Sequence, residues 1–225
     1  MAGRLLLIRH GAVDFDSRDF RSSPRGRQWD PPLGEAGLQQ AGRLAARLAL
    51  MSPPRDIRVS PFTRCVQTLE PYLEAATGTL PAPIAEDDLG EVFIGSWEGM
   101  RFEEIVSEDE ELARRFREQE AMFSMAPGGE SGAELRARVV PAVERAIAGL
   151  DHGTVVIVSH GGVINAYLGH ILGIPHDMFF LPDNASINTV EVDGEARSVR
   201  FLNDGRHLTD PGVFVPPTPG RSSSG

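Results

Sequence analysis

The sequence predicts an α/β protein, organised as a three-layer α/β/α sandwich with a mostly parallel central sheet and a small cap insertion. Two short apolar runs, residues 4–8 and 154–158, stop abruptly at polar residues, as strands buried in a parallel sheet do. Segments with apolar residues at helical spacing alternate with these runs, and this alternation is typical of sheets covered by helices. We therefore expect one domain over residues 1–210 and a disordered, Pro-, Gly- and Ser-rich tail over residues 211–225.

The first half of the chain contains three predicted strands and two predicted helices. The strands are short apolar segments bounded by polar or turn residues: 4–8, 56–60 and 84–89. The first helix, over residues 33–50, has apolar residues at helical spacing and is followed by two prolines. The second begins where Ser60 offers a cap and Pro61 a first-turn proline, and it runs to about residue 76. Residues 14–32 are expected to form a loop near the strand ends.

The second half is predicted to hold a cap, two helices, one strand and a final hairpin. The cap is expected over residues 91–129 and includes an acidic, Arg-rich helix at 101–120. A helix over residues 131–150 contains Pro141, which should kink or interrupt it. The remaining elements follow from apolar runs, helical spacing and an Asp-Gly turn: strand 154–158, helix 163–172, and hairpin strands 186–192 and 198–202.

Composition excludes several classes of function. The formal net charge of -10 over 225 residues disfavours nucleic-acid backbones and anionic membranes as partners. All 22 basic residues are Arg, which excludes Schiff-base lysine chemistry and the lysine of a nucleotide-binding loop. The single Cys cannot form an intrachain disulfide and indicates a cytoplasmic location, and no apolar run is long enough to span a bilayer. The sequence leaves a homodimer open.

Two histidines follow the two clearest strands, each at the point where the strand ends. Arg9 and His10 follow the first strand, and His160 and Gly161 follow the strand at 154–158. Ligands of open α/β sheets bind at the carboxyl ends of strands, so both positions favour a functional site. Either histidine alone is weak evidence, because a lone histidine is more often structural and the sequence does not establish that the two strands are neighbours.

Five separated blocks carry a family resemblance: 7–11 (LIRHG), 33–41 (LGEAGLQQA), 60–68 (SPFTRCVQT), 90–99 (GEVFIGSWEG) and 158–162 (VSHGG). With these blocks in this order, the chain resembles the histidine phosphatase superfamily, in the branch of cofactor-dependent phosphoglycerate mutases and related phosphatases. A weaker block at 127–131 and the residues at 203–208 extend the resemblance over most of the chain.

The resemblance implies that His10 attacks phosphorus, and that Glu91 protonates the leaving group and later accepts a proton from water. The resemblance also implies that Arg9, Arg64 and His160 hold the phosphoryl group. Gly161 and Asp16 are further candidate substrate-binding residues. Fixed cationic donors stabilise the charge of a transferring phosphoryl group, so no metal and no cofactor is expected. The implied substrate is a small phosphorylated metabolite.

Three positions after the first block depart from the mutase pattern. Mutases of this family usually place an acidic or amide residue and then Ser or Thr after Arg-His-Gly, with an Asn a few positions later; this chain has Ala12, Val13 and Asp16. Val13 has no hydroxyl, and an ionised Asp16 repels phosphate where an amide would donate to it. These departures favour a phosphatase over a mutase. Four arginines in the loop that follows are interpreted as solvated rather than as a second anion site: Arg18, Arg21, Arg25 and Arg27.

Cofactor-dependent phosphoglycerate mutase stays open as the alternative function, followed by a non-catalytic module that binds phosphorylated ligands. The module is disfavoured because both His10 and Glu91 are present. A cysteine phosphatase would need an Arg six residues after Cys65, where Pro71 stands. Metal-dependent hydrolysis would need histidines with carboxylates at ligand spacing, which the sequence does not offer.

Overall fold

The computed structural model describes residues 2–76, 78–101, 104, 105, 107, 110–118 and 123–209, the side chains of residues 113, 116 and 117 excepted. The strands in this part of the chain are β1 Gly3–Arg9, β2 Phe20–Ser23, β3 Gly26–Trp29, β4 Asp56–Val59, β5 Ile84–Ala85, β6 Thr154–Ser159, β7 Ile187–Asp193 and β8 Ala196–Asp204. The α-helices with described bounds are α1 Glu35–Ala49, α2 Thr63–Ala75, α3 Glu110–Arg117, α4 Gly132–Ala146, α5 Gly161–Leu172 and α6 Arg206–Thr209. None of the described helices is both long and apolar enough to cross a membrane.

The central sheet has six strands in the order β5-β4-β6-β1-β7-β8. Strands β5, β4, β6 and β1 run parallel to one another, whereas β7 and β8 are antiparallel additions at one side. In the register of β1 and β6, Arg9 lies opposite Ser159, and the backbone N–H of His10 donates to the carbonyl of Ser159 at 2.9 Å. The two strands that end in histidine are therefore neighbours with matched ends.

Helices cover both faces of the sheet, as predicted. On one face, α4 and α5 pack against alternate residues of β1 and β6, including Leu5, Leu7 and Ile157. On the other face, α1 and α2 pack against the intervening residues, including Leu6 and Ile8. Strand β1 is buried on both sides because its apolar run offers a hydrophobic side chain to each layer. The α/β/α sandwich with a mostly parallel sheet is confirmed.

Several local predictions were wrong, each for a physical reason. The expected loop at 14–32 contains a two-stranded hairpin, β2 and β3, in which the Arg27 guanidinium lies 4.2 Å over the Phe20 ring. Ser60 does not cap α2. Asp30 does so, because its carboxylate accepts from the backbone N–H of Thr63 at 2.8 Å, and this distant acceptor could not be predicted from the residues next to the helix. The predicted strand at 84–89 is a strand only at Ile84–Ala85 and then turns into a 3-10 helix.

Helix α4 continues through Pro141, so a break at this residue is wrong, whereas a kink there stays a prediction. The helix begins instead with a reciprocal cap, in which Ser131 and Glu134 bond to each other's backbone N–H groups. The predicted helix at 101–120 is described in part, as α3. The predicted tail at 211–225 lies outside the described residues, and the division at residue 210 stays a prediction.

Candidate active site

A cavity of about 440 Å³ opens where β1 and β6 end and α5 begins. Its wall combines ionisable and apolar side chains with the backbone of two glycines. The lining residues are Arg9, His10, Val13, Phe15, Gln28, Trp29, Phe62, Arg64, Glu91, Val92, Ile94, Glu98, Phe123, Gly161, Gly162, Met178 and Leu181. A concave site with a few convergent polar groups at the carboxyl ends of parallel strands is the usual form of an α/β enzyme site.

The His10 side chain is held in one tautomer. Its Nδ1 lies 2.7 Å from the carbonyl oxygen of Gly11, and because a carbonyl only accepts, Nδ1 carries the proton. Nε2 is then the nitrogen with a free lone pair. Burial and the charges of Arg64 and Arg9 lower the pKa of His10 well below its usual 6.5, so the ring is neutral near pH 7. These are the properties of a nucleophile.

Two guanidinium groups share the cavity with His10. The Arg64 side chain is held by the Trp29 carbonyl at 3.2 Å and the Asp30 carboxylate at 3.6 Å, and it stacks 4.6 Å over Phe62. Arg9 donates from one terminal nitrogen to the carbonyl of Pro182 at 2.5 Å. Its buried Nε has no hydrogen-bond partner in the described part of the chain, and an unmet donor of this kind suits a phosphate oxygen.

Helix α5 starts at this point and presents the backbone of Gly161 and Gly162 to the cavity. The first N–H groups of a helix lack acceptors within the helix, and the N-cap residue, His160, makes no side-chain capping bond here. Such N–H groups bind anions through hydrogen bonds and the helix dipole. An anionic group between Arg9 and Arg64 would meet donors from a third direction.

Glu91 supplies the acidic group of the wall. Burial raises the pKa of its carboxyl above the usual range, against the opposing effects of the Val92 N–H and the nearby arginines. Its Oε1 accepts from the Val92 N–H at 3.0 Å and lies so close to Gly162 that a Cβ there would stand 2.5 Å away. A carboxyl with a raised pKa that shares a cavity with a neutral imidazole fits general acid and base catalysis.

His160 is fully buried and contacts His10 edge-on, with 5.2 Å between the ring centroids. Its Nε2 shares a 2.7 Å hydrogen bond with the Ser60 hydroxyl, so the residue expected to cap α2 orients this ring instead. Burial, followed by the charge of Arg64, lowers the pKa of His160 well below its usual value. The ring is neutral and is not among the residues that line the cavity, so a contact of His160 with the phosphoryl group stays a prediction.

The structure brings together most of the predicted site residues. His10, Glu91, Arg9, Arg64 and Gly161 line one cavity. Asp16 does not. Its carboxylate is 89% exposed and pairs with Arg101 at 3.2 Å, and its contact with substrate stays a prediction.

A family model described as the histidine phosphatase superfamily, branch 1, matches residues 5–205 of the chain. The chain belongs to this superfamily. The match covers nearly all of the described structure, and it confirms the family resemblance carried by the five sequence blocks.

Several relatives of this chain are named as phosphatases or as a bifunctional protein. Bifunctional protein Rv2228c from Mycobacterium tuberculosis is 34% identical over 209 residues, which are 91% of this chain; the chain spans only 55% of that protein. A metal-independent phosphoserine phosphatase from Arabidopsis thaliana is 28% identical over 210 residues, covering 93% of this chain and 85% of the plant protein. Among solved structures, Bacillus stearothermophilus YhfR superposes with a TM-score of 0.75 at 27% identity, covering 92% of this chain and all of the other.

Sequence reasoning missed the residues that hold Glu91 in place. Arg138 forms a two-pronged, nearly buried ion pair with Glu130, at 2.6 and 2.7 Å, and donates to the carbonyls of Asp88, Gly90 and Glu91. This single side chain ties the segment before Glu91 to helix α4. The only signal in the sequence was Glu130 within the weak block at 127–131, which did not point to its partner.

Glu98 and Gln28 also line the cavity and were not predicted as site residues. Glu98 accepts from the backbone N–H groups of Trp29 and Ile94, at 2.8 and 3.1 Å, and burial raises the pKa of its carboxyl. Gln28 is almost fully buried and donates to the Glu91 carbonyl at 3.3 Å. Both residues connect hairpin β2–β3 to the segment carrying Glu91, so the hairpin forms one wall of the site.

Proposed function

We propose that this histidine phosphatase hydrolyses phosphomonoesters through a phosphohistidine formed at Nε2 of His10. The observation that carries the proposal is the 2.7 Å bond from Nδ1 to the Gly11 carbonyl, which leaves Nε2 unprotonated in a cavity lined by Arg9 and Arg64. A neutral nucleophile beside two fixed cations suits attack on a phosphoryl group, because the cations stabilise charge on the equatorial oxygens.

In the first step, the lone pair of Nε2 attacks phosphorus while the bond from phosphorus to the ester oxygen breaks. The leaving oxygen takes the proton of the Glu91 carboxylic acid, so an alcohol departs and Glu91 becomes a carboxylate. The raised pKa of Glu91 supports this role, since a carboxyl of ordinary pKa would hold few protons near pH 7.

In the second step, water attacks the phosphorus of phosphohistidine and gives a proton to the Glu91 carboxylate. The nitrogen–phosphorus bond breaks, inorganic phosphate leaves, and both His10 and Glu91 return to their starting protonation states. His160, whose Nε2 shares a hydrogen bond with Ser60 and whose ring contacts that of His10, is proposed to fix the position of His10. No metal is required in this scheme because the arginines neutralise the phosphate charge.

Hydrolysis is favoured over mutase activity by the side chains that come shortly after His10 in the chain. Val13, which offers no hydroxyl, lines the cavity, and so does Phe15. A mutase must keep its phosphoryl donor and acceptor away from water and bind a second anionic group. The described wall has apolar side chains where such a group would need donors.

The experiment that tests the proposal is a screen of alkyl and aryl phosphomonoesters and of 3-phosphoglycerate, with and without a bisphosphorylated primer, in the presence of a metal chelator. We expect chelator-resistant release of phosphate, a primer-independent rate, and an acid-labile, base-stable phosphoenzyme after rapid quenching. His10→Ala should lower kcat/KM by about 10³-fold or more.

His152→Ala is the matched control, because this histidine is on the surface, with its side chain 73% exposed. It should keep kcat/KM within twofold of the unmodified protein. Undiminished turnover by His10→Ala would overturn the mechanism. Isomerisation of phosphoglycerate that depends on the primer would show that the protein is a mutase and not a hydrolase.

A cytoplasmic setting is part of the same proposal. The single thiol, that of Cys65, is buried 3.5 Å from Nε2 of His160, and burial raises its pKa to about 12, so it is kept as an unreactive thiol. The substrate partner is proposed to be a small phosphorylated molecule, since the cavity is compact.

A further inference from the structure

The cavity has an apolar half in addition to its phosphate-binding half. The apolar half, or leaving-group wall, is formed by Val13, Phe15, Ile94, Phe123, Met178 and Leu181. It adjoins the phosphate-binding end directly, because a Cβ on Gly161 would stand 3.7 Å from the terminal methyl of Met178. A phosphate held at the start of α5 would therefore place its ester substituent against these side chains.

Two residues of the leaving-group wall are exposed to solvent. Phe15 is 60% exposed and Leu181 is 66% exposed, although both line the cavity. Large apolar side chains left in water at the mouth of a cavity have area to bury when a ligand enters. The Phe15 ring also lies 6.0 Å from that of Trp29, which extends the apolar mouth.

The charges of the cavity lining point to the same kind of ligand. Among the described lining residues, Arg9 and Arg64 are the cations, and a phosphate dianion would use both of their charges. Glu91 and Glu98 are the two carboxyl groups of the lining. A carboxylate on the substrate would find no further cation in this lining, and removing it from water without a partner is unfavourable in a partly dry site.

Arg21, Arg25 and Arg27, three of the four arginines in the segment after His10, are not among the lining residues of the cavity. Arg21 lies 4.8 Å from the centroid of Phe62, which is a lining residue, and its ion-pair partner is the Asp87 carboxylate at 4.0 Å. Arg25 donates to the Asp87 carbonyl at 2.6 Å. Arg27 stacks on Phe20 of its own hairpin.

We infer that the leaving-group wall selects phosphomonoesters of uncharged, apolar alcohols or phenols and discriminates against substrates that carry a carboxylate. This inference rests on the proposed phosphatase function and adds the substrate class to it. It sets this chain apart from a phosphatase of amino-acid or sugar-acid phosphates, which must bind a carboxylate as well as a phosphate.

The test compares benzyl phosphate with 4-carboxybenzyl phosphate, which share the reacting bond and differ by one charge at the far end. We expect kcat/KM to be at least tenfold higher for benzyl phosphate. Leu181→Arg places a cation at the mouth and should reduce this preference at least fivefold. Leu50→Arg is the matched control, because Leu50 is 75% exposed and lies outside the cavity, and it should leave the preference unchanged.

The outcomes separate the two claims. Turnover that depends on His10, combined with equal or faster hydrolysis of the carboxylated ester, would overturn the substrate class and leave the phosphatase function standing. Failure to hydrolyse either ester would count against the phosphatase function. The substrate class is then decided by calorimetric titration with benzylphosphonate and 4-carboxybenzylphosphonate, where equal affinity or tighter binding of the carboxylated compound would overturn it.

Discussion

Alanine at position 162 would place a methyl group against the carboxyl group proposed as the acid. The Cβ would stand 2.5 Å from Oε1 of Glu91, whereas ordinary van der Waals contact begins at 3.4 Å, so the carboxyl must retreat by 3.4 − 2.5 = 0.9 Å. A misplacement of about 1 Å can cost roughly 10²-fold in rate, or about 2.7 kcal/mol of transition-state stabilisation. We expect that loss in kcat/KM of Gly162→Ala for an alkyl phosphate, whose alkoxide needs the proton of Glu91.

The assay compares benzyl phosphate with 4-nitrophenyl phosphate. The value of kcat/KM reports the steps up to departure of the leaving group. Because nitrophenolate departs without a proton, the loss in kcat/KM of Gly162→Ala for 4-nitrophenyl phosphate should stay below about tenfold. Gly42→Ala is the control, since a Cβ at Gly42 in α1 meets nothing within 4 Å. Full activity of Gly162→Ala on benzyl phosphate, or equal losses on both esters, would refute the assigned role of Glu91.

Three further predictions concern the support of the site and its response to pH. Ser60→Ala removes the hydrogen bond to His160 and should reduce transition-state stabilisation by about 1 kcal/mol, or kcat/KM by roughly fivefold. An unchanged kcat/KM would show that this bond does not contribute to catalysis. Arg138→Met leaves Glu130 nearly buried without its partner and should lower the urea unfolding free energy by about 3–5 kcal/mol, whereas a loss below 1 kcal/mol would contradict this. Because the folded protein lowers the pKa of His10 and His160 below 6.5, only the unfolded chain takes up these protons just below that pH. The unfolding free energy should therefore fall on acidification, by up to about 1.4 kcal/mol per pH unit for each histidine. His10→Gln should show a shallower dependence of unfolding free energy on pH, and equal slopes for the two proteins would contradict the lowered pKa of His10.

Local sequence pattern was enough to locate the main elements. Strands β1 and β6 and helices α1 and α4 were predicted within a few residues, because their apolar periodicity reflects the layers that bury them. The hairpin β2–β3 was missed because its short strands are stabilised by contacts with distant segments. Gln28, for example, reaches the carbonyl of Glu91, 63 residues away.

By itself, the sequence determined the sandwich, the family, and His10 with Arg9, Arg64 and Glu91 as residues of one site. Periodicity and ordered motifs are local properties, so they can be read along the chain. Only the tertiary structure decided which side chains reach the cavity: Asp16 turns away to Arg101, 85 residues further on.

The tertiary structure also decided which residues support the proposed acid and which face the ester substituent. Glu91 depends on Arg138, 47 residues later, and the leaving-group wall joins residues from both ends of the chain. Such contacts form only when separate elements pack together, since burial and charge neutralisation depend on neighbours in space. For that reason the place of His10 in the cavity could be predicted from sequence, whereas the apolar half of that cavity could not.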